Sequence, residues 1–181
     1  MRKEVTVDCP ATVANLVCGF DILGMALQDP CDRITMRLRE EPGIVINHTD
    51  GYDLPTEPAK NVAGAALLDM LQAIPEPVGF EVEITKNIKP GSGLGSSAAS
   101  SAGAVVAANQ LLGNRFSKND LVRFAMAGEK LASGVKHADN IALYHGWCYP
   151  YPIYISARHC GIEGAADVCN SGASANRSTY F

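Results

Sequence analysis

The stretch Ile88-Lys89-Pro90-Gly91-Ser92-Gly93-Leu94-Gly95-Ser96-Ser97-Ala98-Ala99 decides how this chain is read. It follows an alternating segment, 78–88, in which Phe80, Val82 and Ile84 share one face of a strand. It precedes 97–112, a small-residue segment whose Ala, Ser and Gly content predicts a helix packed closely against a sheet. Gly91, Gly93 and Gly95 let the backbone turn tightly and approach a ligand. Ser96 and Ser97 fall where the helix begins, beside free N–H groups and the positive end of its dipole. That combination suits a phosphate group, so nucleotide chemistry leads.

Working outward, 3–8 alternates and reads as a strand that Pro10 ends, followed by a loop or tight turn. Segment 32–39 alternates with Ile34, Met36 and Leu38 on one face, and 44–47 is a short third strand. Pro55 and Pro58 mark a loop, and 61–74 is an Ala- and Leu-rich helix. Ser117-Lys118-Asn119-Asp120 resembles a capping box that opens a helix over 120–132 carrying Glu129, and Ser133-Gly134 stops it. Strands first, then strand, loop, helix and helix, predict an α+β layer rather than repeated βαβ units.

The bulk numbers bound the function. The 181 residues suffice for one sizeable core, and 47% hydrophobic against 19% charged content predicts a folded globular chain. A net charge of -4 argues against a nucleic-acid binder that works by bulk charge. No apolar run approaches the about 18 residues of a membrane span. The opening segment MRKEVTVDCP carries no apolar leader, and Cys9, Cys18, Cys31, Cys148, Cys160 and Cys169 form no C-x-x-C pair. Reduced thiols and a cytoplasmic location are therefore expected.

Two common nucleotide loops are excluded. No Lys follows Gly95, as a Walker A loop requires, and the glycine spacing lacks the third Gly of a dinucleotide fingerprint. The plain alternative is a flexible Gly/Ser turn, which the ordered flanks disfavour. ATP chemistry also needs a metal on the β- and γ-phosphates, and magnesium takes a few hard oxygen ligands. Glu129 as carboxylate and Ser97 as hydroxyl are the candidates, although a lone helical Glu is commonly just solvated.

The run 88–99 resembles the central motif of the GHMP small-molecule kinases. The segment Pro10-Ala11-Thr12-Val13-Ala14-Asn15-Leu16-Val17-Cys18-Gly19-Phe20-Asp21, continued by Ile22-Leu23-Gly24, resembles the homoserine kinases among them, as does His137-Ala138-Asp139-Asn140-Ile141-Ala142. Val17-Cys18 stands where that group usually has Gly-Pro, which implies a changed turn. The resemblance spans 10–142. It implies the GHMP N-terminal fold, of the ribosomal protein S5 domain 2 type, and ATP-dependent phosphorylation of the L-homoserine hydroxyl in threonine biosynthesis. It further implies that Lys89, Pro90, Gly91, Ser92, Gly93, Leu94, Gly95, Ser96 and Ser97 wrap the triphosphate, with Asn61 near the adenine. Ser97 and Glu129 match the Mg2+ ligands. Asn15, Asp21, His137 and Asp139 match positions around the amino-acid substrate, where Asp21 or Asp139 suits its ammonium. Asp139 is the candidate for the catalytic role of accepting the hydroxyl proton, although a loose transition state needs little base assistance. Relatives of this kind suggest a homodimer, with no nucleic-acid or membrane partner.

After Ala142 the character changes. Residues 143–181 hold five of the six tyrosines, the only tryptophan and three of the six cysteines. Read in a shifted frame with permitted third bases, this segment gives alternating strands and turn prolines, beginning with a Gly-Gly-Val at the Trp147 region. The expectation is a GHMP N-terminal ATP-binding domain over 1–142 and an out-of-frame, poorly ordered tail over 143–181. The family's ferredoxin-like C-terminal domain, with its third glycine-rich motif and carboxylate-binding arginines, would then be largely missing and activity impaired. A non-catalytic nucleotide-binding module, or a GHMP kinase of other specificity, are the rival readings.

Overall fold

The computed structural model describes residues 3–15, 24–134 and 138–145. Within them, β1 (Glu4–Ala14), β2 (Gly24–Arg39), β3 (Gly43–His48) and β4 (Gly79–Thr85) form one sheet in the order β1-β2-β4-β3. β2 runs antiparallel to both β1 and β4, whereas β3 pairs parallel to β4. That parallel pair needs a crossover, and α1 (Val62–Gln72) supplies it after a short 3-10 turn at Pro58–Lys60. α2 (Ser96–Leu111), α3 (Lys118–Ser133) and α4 (Asp139–His145) follow. The α+β expectation holds, with a single crossover unit inside it.

The period of two along each strand separates the faces. Ile34, Met36, Phe80, Val82 and Ile84 are fully buried on the inner face. Each contributes about 1.5–3 kcal/mol of transfer free energy. The outer face is charged and solvated, and its register pairs Glu4 with Arg37 and Asp8 with Arg33 directly across β1 and β2. Exposed pairs of this kind contribute little to stability. They fix register more than they stabilise.

α2 lies on the inner face against β1 and β2, and α1 and α3 cover it from outside. Its small residues are what allow it to be buried on both sides. A Cβ added at Gly103 would lie 2.2 Å from the Cys9 Sγ, so helix and sheet touch backbone to side chain. The capping box forms as expected: the Ser117 hydroxyl accepts from Asp120 N and the Asp120 carboxylate accepts from Ser117 N. Gly134 ends α3 in the left-handed conformation.

Several boundaries differ from expectation. Pro10 does not end β1, because the register shifts between Pro10 and Thr12. A proline at a bulge forfeits no ladder hydrogen bond, and the strand continues to Ala14. β2 begins at Gly24, eight residues before the alternating stretch that starts at Asp32. α2 begins at Ser96 rather than Ser97. α4 crosses the boundary expected at 142: Leu143 is buried and the Tyr144 Oη donates to the Pro10 carbonyl. The remainder of the expected tail, 146–181, lies outside the described residues, as do Asp21, His137 and the Val17-Cys18 departure.

Candidate nucleotide and substrate site

The loop between β4 and α2 turns on its glycines. Gly91, Gly93 and Gly95 have φ of 74°, 76° and 65°, a region that costs an L side chain about 1–2 kcal/mol. Gly91 and Gly93 have open space where a Cβ would lie, so they serve backbone shape alone. Gly95 serves shape and proximity together. A Cβ there would meet Thr12 Oγ1 at 2.0 Å and Asn140 Oδ1 at 3.1 Å. Gly95 is also the N-cap of α2 and supplies no side chain to it. The first intrahelical bond is Ala99 N to Gly95 O, so the N–H groups of Ser96, Ser97 and Ala98 lack intrahelical acceptors. Gly91, Ser92 and Gly93 are exposed beside them.

The other loop residues divide between shaping and presenting. Lys89 is exposed and its carbonyl accepts from Ser92 N at 3.2 Å, closing a turn around Pro90. Leu94 packs on the core while its carbonyl accepts from Thr12 N at 3.1 Å, tying the loop to β1. The Ser96 hydroxyl donates to Ile88 O at 2.9 Å and is spent on closing the loop. Ser97 is half-buried, and its carbonyl accepts from the Ser101 hydroxyl at 2.9 Å.

Glu129 is 7% exposed, which is not the solvated helix position that its spacing alone suggests. The cause is the neighbouring Gly128. A Cβ at Gly128 would lie 2.1 Å from Ser101 Oγ and 2.4 Å from Val62 O, so α3 meets both α1 and α2 at this point. The contact is one turn along α2 from Ser97. A buried carboxylate and a hydroxyl are hard oxygen donors, the chemistry that Mg2+ prefers, and phosphate and water complete such a site. Among the described residues no cluster of three or more His, Cys, Asp or Glu side chains offers a self-contained metal site.

Asn15 and Asp139 come together from opposite ends of the sequence. Asn15 has a φ of 60°, and its Nδ2 donates to Asp139 Oδ2 at 3.4 Å. Next to them, Thr12 Oγ1 donates to Asn140 Oδ1 at 3.0 Å. The Thr12–Asn140 bond stands against Gly95, which joins the Asn15–Asp139 pair to the end of the 89–95 loop.

Asn61 is the N-cap of α1. Its Oδ1 accepts from Ala63 N and Gly64 N, and its Nδ2 donates to Pro55 O at 2.7 Å and to His48 Nε2 at 3.1 Å. An amide has two donors and two main acceptor sites, so its polar capacity is used within the protein. With Nε2 accepting, His48 carries its proton on Nδ1 and faces Asp50 Oδ2 at 3.4 Å. Burial pushes the Asp50 carboxyl up, but bonds from Tyr52 N, Lys86 N and His48 outweigh it and hold the group below its ordinary value.

Beneath the loop lies a pair that the sequence reading passed over. Lys86 Nζ is ion-paired with Asp32 Oδ2, their side chains 3% and 0% exposed. Burial pulls the Lys86 ammonium below its ordinary value, with Asp32 acting in the opposite sense. The alternation of the strands held the signal. Residue 86 follows Phe80, Val82 and Ile84 on the inward parity of β4, and residue 32 precedes Ile34 and Met36 on that of β2. Since Arg33 pairs with Thr85, continuing the register by one residue sets Asp32 across from Lys86.

Residues 61–146 match the family of the GHMP kinases N terminal domain. The described residues take the fold of a GHMP kinase N-terminal domain. Over 152 residues it is 41% identical to the homoserine kinase of Chloroherpeton thalassium, across 77% of this chain and 48% of that protein. The crystal structure of the homoserine kinase from Cytophaga hutchinsonii is similar at a TM-score of 0.73 and 46% identity, over 78% of this chain and 46% of that one. The mevalonate kinase of Methanococcus jannaschii has the same fold, at a TM-score of 0.62 and 18% identity over 79% of this chain and 51% of that one. The chain spans about half the length of the curated relatives it matches. Among the described residues no helix is long and apolar enough to cross a membrane.

Proposed function

We propose that this chain binds ATP on the 89–97 loop and belongs to an enzyme that transfers the γ-phosphoryl group to the side-chain hydroxyl of L-homoserine. One observation carries the reading: three left-handed glycines lead into an α2 N-terminus that has no side-chain cap. Free N–H groups and the helix dipole there are suited to a polyphosphate. The choice of homoserine over another alcohol rests on relatives named for it, at 41–43% identity.

In the reaction, the oxygen of the acceptor hydroxyl forms a bond to the γ-phosphorus, the bond to the departing ADP oxygen breaks, and the hydroxyl proton passes to the Asp139 carboxylate or to water. Loop amides and the N–H groups of Ser96, Ser97 and Ala98 orient the chain of phosphates. Glu129 and Ser97 would hold Mg2+, which offsets charge on the β- and γ-phosphates. Asp139, oriented by Asn15, either accepts a charge-assisted hydrogen bond from the substrate ammonium or takes the proton of its hydroxyl. Asp21 and His137 are assigned to the same amino-acid pocket through their motifs. The fully engaged Asn61 side chain fixes the start of α1 beside the adenine, so it contacts the base by shape rather than by hydrogen bonds. The ATP-binding unit is residues 1–142, and 143–181, whose first three residues finish α4, is assigned as an out-of-frame tail. That reading carries with it a cytoplasmic enzyme of threonine biosynthesis that forms a homodimer.

Titration calorimetry of the full chain with Mg-ATP, then with homoserine, tests this, alongside ADP release with homoserine, mevalonate and galactose as acceptors. Binding of ATP is expected, with turnover selective for homoserine but impaired relative to a full-length relative, and both diminish further in Ser97→Ala and Glu129→Gln. Absence of nucleotide binding refutes the reading. Nucleotide binding without transfer to any acceptor favours a binding module instead. Sequencing the encoding DNA around codon 142 tests the tail assignment, which an intact gene with no alternative frame overturns.

A further inference from the structure

We propose that Lys86 and Asp32 form a buried positioning pair that holds the phosphate loop in its ligand-ready shape, with no direct contact between Lys86 and phosphate. The pair joins the two ends of the loop. On one side, Asp32 Oδ1 accepts from Asn87 N and Ile88 N, both at 2.8 Å, where the chain leaves β4. On the other, Lys86 Nζ donates to Ser96 O and Ser100 Oγ, both at 2.8 Å, in the first turns of α2. The ion pair between them closes the bridge. Residues 89–95 therefore hang from a base tied across a single buried charge pair, reinforced by the Ser96 hydroxyl on Ile88 O.

A lysine next to a phosphate loop invites a different role, that of a direct phosphate ligand. The geometry argues against it here. An ammonium has three donors, and Lys86 directs them to Asp32, Ser96 and Ser100. Its side chain is 3% exposed and lies beneath the loop rather than on its open side. Reaching a phosphate would mean surrendering all three bonds and leaving Asp32 buried with its charge unpaired. The backbone of the same residue ties in the α1 side of the site: Lys86 N donates to Asp50 Oδ2 at 2.8 Å, and Asp50 meets His48, which meets Asn61. Lys86 thus links the N-cap of α1 to the N-terminus of α2.

The test uses the full chain and the double variant Lys86→Met/Asp32→Asn. Removing one partner strands a buried charge, whereas the double change removes both and keeps an Asn oxygen for Asn87 N and Ile88 N. Two readouts are followed: amide hydrogen exchange of the free protein over 87–97, and calorimetric affinity for Mg-ADP at low and high salt. Expected are faster exchange confined to the loop and about tenfold weaker Mg-ADP binding, with an unchanged salt dependence. Unchanged exchange and unchanged affinity overturn the proposal. So does weaker binding with a reduced salt dependence and an unaltered loop, the signature of a direct phosphate contact. The affinity arm rests on the proposed nucleotide binding, but the exchange arm does not. If the parent chain binds no Mg-ADP, the functional reading fails while exchange still decides the positioning role. Ser100→Ala, which deletes one bond without touching a charge, shows a smaller acceleration over the same segment and provides the answer if the double variant does not fold. No acceleration in Ser100→Ala then overturns the proposal.

Discussion

Gly95→Ala measures how tightly the end of the 89–95 loop is built into the rest of the candidate site. Two costs are readable. The left-handed backbone, at φ 65°, costs an alanine about 1–2 kcal/mol. The added methyl then meets Thr12 Oγ1 at 2.0 Å and Thr12 Cβ at 3.3 Å. Thr12 is fully buried and bonded to Asn140, so it has little room to withdraw. Overpacking of this sort costs about 1–3 kcal/mol. Gly91→Ala is the internal control. Its φ of 74° carries the same backbone cost, but nothing lies within 4 Å of the new methyl. The difference between the two variants therefore isolates the contact with Thr12, at about 1–3 kcal/mol.

Urea unfolding of the two variants, followed by far-UV circular dichroism, gives that difference. With a slope of about 1–3 kcal/mol per molar urea, the Gly95→Ala midpoint falls below that of Gly91→Ala by about 1 M. A double-mutant cycle with Thr12→Ala sharpens the attribution. Removing Oγ1 leaves the methyl only the looser neighbours Asn140 Oδ1 at 3.1 Å and Thr12 Cβ at 3.3 Å, so the double variant is more stable than the sum of the single changes predicts, by about 1 kcal/mol. Equal midpoints for Gly95→Ala and Gly91→Ala, or strictly additive effects with Thr12→Ala, would refute the close approach of loop, β1 and α4.

Three further outcomes are expected. Asn61→Ala removes the cap on Ala63 N and Gly64 N and costs about 1–2 kcal/mol in urea unfolding; a loss below a few tenths would show that the cap contributes little. Asp50 titrates below its ordinary 3.8 in the folded state, so its contribution to stability is present above that value and lost as the pH falls through the lower folded value. Asp50→Asn therefore weakens the decline in stability on the acid side of pH 3.8, and an unchanged acid profile counts against the bonds to Tyr52, Lys86 and His48. Burial pushes the Cys9 thiol far up and, to a lesser extent, the half-buried Cys31 thiol, with Asp29 adding to the latter. Peptide mapping after brief alkylation of the native chain shows Cys31 modified well before Cys9, and equal rates would contradict the packing of Cys9 beneath α2.

Legibility in the sequence followed the range of the interactions. The capping box at Ser117 and the inward face of β4 were readable because each depends on residues within a few positions of one another. The early half of β2 was not, since 24–31 has no alternation and is held as a strand by its pairing with residues Pro10–Ala14 of β1. The 89–95 loop itself was legible from its glycines, because left-handed backbone strongly favours glycine. Its neighbours were not, since Thr12, Asn140 and Gly95 meet across separations that no local pattern records.

Lys86 and Asp32 fall between these cases, and they show what inward parity can reveal. A charged residue continuing the apolar face of a strand is either at the end of the strand, in water, or paired. Here both strands break their apolar faces with opposite charges at the same end of the sheet. Neither break is informative alone; set in antiparallel register, each explains the other. A structural ion pair of this kind is often no more stabilising than an apolar pair of equal volume. Its retention needs another reason, and the hydrogen bonds that radiate from it provide one. Every bond that Asp32 Oδ1 and Lys86 Nζ make beyond each other goes to residues 87, 88, 96 or 100, the two flanks of the phosphate loop. A hydrophobic replacement fills the same space but supplies no directed contact to either flank, so the charge pair's distinctive contribution is the shape of the loop rather than the stability of the sheet.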